Sequence, residues 1–129
     1  MAEALHVELV AADRTVWSGE ATQISARTVD GDLGVLRGHQ PLLSLLSPSV
    51  VEISGTNEKV IASVDGGFIS VANDRVSVLA EHVWLGGEID AAQARAELDE
   101  AKTAAGASAE FDPAVRLAQA RVDAAAKAS

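Results

Sequence analysis

The feature that most constrains this chain is a break in composition at Gly86-Gly87. Before it, short runs of Val, Ile and Leu alternate with turn formers. After it, strand formers nearly vanish and alanine dominates, so the chain passes from β to α at this point. With 129 residues, it has room for one modest core, or one small domain with an appendage. The division expected is therefore a β domain over 1–86 and a helical segment over 87–129.

The β part reads as a meander. Leu5, Val7 and Leu9 alternate with His6 and Glu8, the period of a strand with one buried face. Ala11 to Arg14 interrupts, Thr15-Val16-Trp17 resumes an extended run, and Ser18-Gly19 is expected to turn. Gln23 to Val29 is a further strand, followed by the turn signal Asp30-Gly31. Leu42 to Leu46, Val50 to Ile53, Val60 to Val64, Phe68 to Val71 and Arg75 to Leu79 follow, separated by Pro48-Ser49, Gly55-Thr56-Asn57-Glu58, Asp65-Gly66-Gly67 and Asn73-Asp74. Eight or nine such strands predict an antiparallel β-sandwich or flattened barrel. Its expected core comprises Leu9, Ile24, Val35, Leu43, Leu45, Val51, Val60, Ile61, Phe68, Val71, Val78 and Leu79. Trp17 and Trp84 suit interior filling better than contact, in a chain with few other aromatics.

Beyond the break, Asp90 is placed to cap a helix, with Gln93 three residues on, as in a capping box. The first helix is expected over about 91–105, ending at Gly106. Asp112-Pro113 then supplies a cap and a proline for a second helix ending near Lys127. Ala91, Ala94, Leu98, Ala101 and Ala105 on one helix, and Val115, Ala118, Val122 and Ala125 on the other, form thin apolar stripes that pair as an antiparallel hairpin. A buried Leu or Val contributes roughly 1.5–3 kcal/mol. With so few of them, the hairpin's packing is marginal, and it should separate from the β domain easily.

Gly31-Asp32-Leu33-Gly34-Val35-Leu36-Arg37-Gly38-His39-Gln40-Pro41-Leu42-Leu43 is expected as a shaped apolar loop rather than a regular element, because three glycines and a proline fall among its aliphatic residues. It is not a Walker loop, since Gly38 is followed by His39 and Gln40 rather than Lys and Ser or Thr. Nor does it complete a dinucleotide fingerprint. His39 has no cysteine or nearby histidine to join it, which favours a structural or interface role over catalysis.

The same run resembles the signature of the epsilon subunit of F-type ATP synthases, in which an acidic residue, small apolar residues and Gly-His-x-Pro-Leu-Leu recur in order. Asp65-Gly66-Gly67-Phe68-Ile69-Ser70-Val71 with Val76-Ser77-Val78-Leu79-Ala80 resembles that family's Gly-Gly-Phe strand pair. The resemblance implies a non-catalytic subunit of the central rotary stalk. Its β-sandwich would bind the gamma subunit and rest on the c-ring, and its hairpin would switch between a compact form and an extended form that reaches the alpha/beta catalytic subunits and restrains ATP hydrolysis. Carried onto this chain, Gly31, Asp32 and Leu33 match the turn facing the c-ring. His39, Leu42 and Leu43 match the segment against gamma, although plain core is the simpler reading of the two leucines. The place implied is the cytoplasmic face of the bacterial membrane, reached only through the complex.

The alternative is a nucleotide-sensing module with an ATP site between sandwich and hairpin. Some bacterial members bind ATP through Ile or Leu, Asp, two variable residues, Arg and Ala; here the run is Ile89-Asp90-Ala91-Ala92-Gln93-Ala94, and Gln93 lacks the charge to hold a phosphate. Arg95, Arg116 and Arg121, with Asp90, are the remaining candidates. No cofactor and no metal are expected.

Composition supports these exclusions. A net charge of −9 opposes binding to nucleic acid or anionic lipid. Without cysteine there is no disulfide or thiolate site. Met1-Ala2-Glu3-Ala4 lacks the basic and apolar regions of a signal peptide, and no run approaches the ~18 apolar residues of a membrane span. The acidic residues are dispersed, so no acid/base pair is expected.

Overall fold

The computed structural model describes residues 4–56 and 58–128, with the side chain of Phe111 left aside. The signal-peptide reading at Met1 to Glu3, and Asn57 of the expected hairpin turn, lie outside the described residues. Nine strands are followed by two helices: β1 Leu5–Ala11, β2 Arg14–Thr28, β3 Gly31–Leu36, β4 Leu42–Leu46, β5 Ser49–Gly55, β6 Lys59–Val64, β7 Gly67–Ala72, β8 Arg75–Leu79, β9 Val83–Leu85, α1 Ala91–Ala105 and α2 Pro113–Ala128.

The strands pair in the order β1-β8-β7-β4-β2-β5-β6-β9, with β3 on β2 and β1 also on β2. All pairs are antiparallel except β1 with β8. The two layers of the expected sandwich are β1-β8-β7-β4 and β3-β2-β5-β6-β9. They meet where Thr28 pairs Leu46 and where the first half of β2 pairs β1. β2 is a single long strand, because Ser18-Gly19 does not turn. Gly19 instead leaves room for the Trp17 ring, 3.0 Å from where a Cβ would lie. The ring nitrogen donates to Glu58 Oε1 at 2.9 Å. Gly31 to Leu36, expected as loop, is also a strand. Gly31, at φ +128°, belongs to the turn, and the other positions keep the alternation that buries Val35.

Leu5, Val7, Leu9, Ile24, Val35, Val51, Ile53, Ile69, Val71, Val76 and Val78 fill the space between the layers. Four residues expected there are not: Leu43 is 71% exposed, Leu45 50%, Phe68 47% and Leu79 44%. Each lies one residue out of phase with the inward set. Both faces of these strands carry apolar residues, so the period of two gives no preference between them. Ile61 is buried, but outside this cluster, on the opposite face of β6 from Val60, Ala62 and Val64.

The hairpin forms as its caps dictate. The Asp90 carboxylate accepts from Gln93 N at 3.0 Å, Gly106 ends α1 at φ +61°, and Asp112 Oδ1 accepts from Ala114 N at 2.8 Å. A short 3-10 segment, Gly106–Phe111, joins the helices. Ala94 and Leu98 meet Val115, Ala118 and Val122, with Ala101 and Ala105 packed alongside. Ala91 is exposed. α2 has a second buried face, Ala120 and Ala124, and packs on β5 and β6.

Candidate functional site: two contrasting outer faces

The molecule offers two outer sheet faces with contrasting treatment. The outer face of β5 and β6 lies beneath α2, which comes so close that a Cβ on Gly86 would be 2.6 Å from the Ala124 carbonyl oxygen. Glycine at the composition break therefore permits backbone contact as well as marking the end of the sheet. Among the described residues, nothing covers the outer face of β4, β7 and β8, where Leu43, Leu45, Phe68 and Leu79 are exposed. Across it Leu45 pairs Phe68 and Phe68 pairs Leu79, a cross-strand apolar row, with Leu43 beside it.

The two segments singled out in the sequence flank β4. Gly31, Asp32 and Leu33 begin β3 after the turn Val29-Asp30. The Thr28 hydroxyl braces that turn, donating to Gly31 O at 2.9 Å and accepting from Asp30 N at 3.1 Å. Asp32 is exposed and pairs with Arg27 at 3.0 Å, while Leu33 packs against the core. Val29 N donates to Leu45 O at 3.0 Å, which ties the turn to one end of the bare row. At the other end the loop 37–41 is fastened to the β7–β8 turn, where Gly38 N donates to Asp74 Oδ1 at 2.6 Å and Arg37 lies 3.7 Å from Asp74. His39 is half-buried there, its Nδ1 2.7 Å from Gln40 O. Leu42 faces inward and Leu43 outward.

The four nucleotide candidates do not converge. Asp90 and Arg121 line a cleft of about 330 Å³ with Trp84, Glu88 and Glu97, whereas Arg116 borders a different, wider groove and Arg95 is exposed on α1. Asp90 is engaged as a cap. Arg121 donates from Nη2 to Glu97 Oε2 at 2.9 Å, and its guanidinium lies 4.9 Å over the Trp84 ring. Trp84 also stacks on His82 at 5.8 Å, and His82 Nδ1 is 2.9 Å from Asp65. Neither tryptophan is fully interior.

A second cross-tie joins hairpin and sandwich near the end of α2. Lys127 Nζ donates to Glu52 Oε2 at 3.1 Å, with Lys59 3.4 Å from the other carboxylate oxygen. The Lys127 hydrogen bond is the main reason that the Glu52 carboxyl lies below its ordinary value. Partial burial opposes the shift, and the charges of Lys127 and Lys59, with the hydrogen bond from Lys59, add to it. Sequence spacing gave no sign of the Arg121–Trp84, Arg121–Glu97 or Lys127–Glu52 contacts, because each joins elements far apart in the chain. Among the described residues no group of His, Asp and Glu is arranged to hold a metal ion, and no helix is long and apolar enough to cross a membrane.

Residues 4–86 match the family model of the ATP synthase Delta/Epsilon chain, beta-sandwich domain. The chain belongs to the ATP synthase epsilon-chain family. It is 55% identical over 118 residues to the ATP synthase epsilon chain of Streptomyces avermitilis, covering 91% of this chain and 95% of that one. With the epsilon chain of Thermobifida fusca it shares 46% identity over 94% of its length and 91% of the relative's. A chain in the structure of the Euglena gracilis mitochondrial ATP synthase, OSCP/F1/c-ring, has the same fold, with a TM-score of 0.76 at 23% identity over 98% of this chain and 81% of that one. As an epsilon chain it is an accessory subunit of an F-type ATP synthase rather than a catalytic one.

Proposed function

We propose that this epsilon chain works as a coupling and restraining piece of the central stalk. In this reading the bare face and its flanking loop attach it to the gamma subunit, the β2–β3 turn rests on the c-ring, and the hairpin limits ATP hydrolysis by leaving the sandwich and reaching the alpha/beta catalytic subunits. The observation that carries the reading is the asymmetry of the two faces. One is covered by the chain's own helices, and the other displays Leu43, Leu45, Phe68 and Leu79 in a contiguous patch, which is how a protein docks on an apolar partner surface. His39 lies on the loop pinned by Asp74, which leads into Leu43 of the patch; Leu42, facing inward, would support their shape. Asp32, exposed at the opposite end, suits a rim contact with basic or amide groups on ring loops, one that orients more than it binds. The cytoplasmic side of the membrane, reached through the complex, is the location that follows.

The test is affinity capture with the Leu45→Ser, Phe68→Ser double variant. It should keep the wild-type fold by circular dichroism and lose co-purification with the gamma subunit, whereas retention of gamma at wild-type level would remove the bare face from the proposal. For the hairpin, deletion of Glu88 to Ser129 and assay of hydrolysis by the assembled enzyme measures the restraint. The hairpin has few basic residues, so only a small rise is expected from electrostatic engagement, and a large rise would show that estimate wrong.

The nucleotide-sensing alternative draws on the Asp90 and Arg121 cleft alone. Three carboxylates, Glu88, Asp90 and Glu97, face two arginines, Arg14 and Arg121, a poor balance for a triphosphate. Titration calorimetry with ATP on the isolated chain is expected to show no binding in the micromolar range.

A further inference from the structure

The docked interface contains one discordant atom. β6 is buried on both faces from Val60 onward, its inward residues Val60, Ala62 and Val64 in the core and its outward residues Ile61 and Ser63 on the side covered by α2. Ser63 is 0% exposed, and among the described residues its hydroxyl is the buried side-chain polar atom with no hydrogen-bond partner. A hydroxyl enclosed without a protein partner carries a burial penalty, and that penalty applies while the helix covers it. Once α2 lifts away, water satisfies the hydroxyl again.

Directly across the sheet from Ser63 is Trp84, its cross-strand partner in β9. Trp84 carries the Arg121 guanidinium, which in turn holds Glu97 of α1. One side chain of α2 thus ties the sandwich and the other helix together. Its position is defined, since only 18% of the Arg121 side chain is exposed. Apart from the half-exposed Lys127–Glu52 pair near its end, the rest of the α2 footprint is made of small residues, Ala120 and Ala124, so these two polar features weigh heavily in the balance.

We propose that Ser63 and Arg121 are opposed elements of a two-position device that sets how firmly the hairpin is docked, Arg121 as the clasp and Ser63 as the built-in bias toward release. Removing the Ser63 oxygen abolishes the penalty of the docked state and should lower the opening constant about five- to tenfold. Replacing Arg121 by an uncharged side chain breaks both the Glu97 and the Trp84 contacts and should raise that constant by a similar factor. The two substitutions act in opposite directions at neighbouring points of one interface, which a general effect on folding would not produce. The effect on hydrolysis rests on the regulatory reading above, but the device itself is a property of the free chain.

The experiment uses the full chain labelled at Ala72→Cys and Ala104→Cys, one exposed position on the sandwich and one on α1. Labelling is unique because the chain has no cysteine of its own. Pulsed electron spin resonance between the two labels reads the docked and released populations. Arg121→Gln should enlarge the released population with helix content unchanged by circular dichroism, and Ser63→Ala added to Arg121→Gln should reduce it again. A released fraction unchanged by Arg121→Gln would overturn the clasp. A released fraction unchanged or increased by Ser63→Ala in that background would overturn the bias. If populations shift as expected while hydrolysis by the assembled enzyme stays constant, the device stands and the regulatory reading fails.

Discussion

Gly67 and Gly31 show how little the letter of a residue says about its cost of replacement. Both have positive φ, +103° and +128°, but a Cβ on Gly67 would collide with the Leu79 carbonyl oxygen, whereas one on Gly31 meets nothing within 4 Å. Gly67→Ala should therefore lower stability by about 3 kcal/mol or more, through strain and displacement of β8 together. Gly31→Ala carries only the backbone term, about 1 kcal/mol. Urea denaturation of the two variants measures the difference, and equal midpoints would contradict it. Glu52 supplies a second residue-level expectation. Its folded-state carboxyl is lowered, so its contribution is present in full above the ordinary carboxylate pKa and is lost as pH falls through the lowered value. Wild type should exceed Glu52→Gln by no more than about 1 kcal/mol at pH 7, and the two should converge in acid.

At the scale of elements, the helices owe their ends to single side chains and their middles to tertiary contact. Ala114 N would lose its Asp112 partner in Asp112→Ala, and α2 should be weakened by about 1 kcal/mol, read as a lower thermal midpoint with the sandwich unaffected. The capping residues were evident in the sequence because caps are local: the accepting side chain and the backbone N–H that donates to it lie within three residues. The burial of Ala120 and Ala124 was not evident, since alanine is compatible with any face of a helix. The strands divide in the same way. β1 was readable from its alternation against His6 and Glu8. β4 and β7 were apolar on both sides, so Leu43, Leu45 and Phe68 could be assigned to the core only by a choice that the layers then reversed.

For the whole molecule, the sandwich has a core of its own that includes no residue of α1 or α2. Deleting Glu88 to Ser129 should accordingly leave a folded β domain, with Ile61 and Ser63 newly exposed, and with a cooperative thermal transition at a somewhat lower midpoint. Loss of that transition would mean that the hairpin is part of the folding unit.

The order of the parts, the helix caps and turns such as Asp30-Gly31 and Asn73-Asp74 were determined by the sequence alone, because each depends on residues a few positions apart; the turn expected at Ser18-Gly19 was not, since β2 runs through it. Tertiary structure decided which apolar face stayed bare, that Arg121 is held by Trp84 and Glu97, and that Ser63 is enclosed without a partner. Those facts require distant segments to be brought together. A pattern of period two or 3.6 states that a face exists, whereas only packing determines what lies against it.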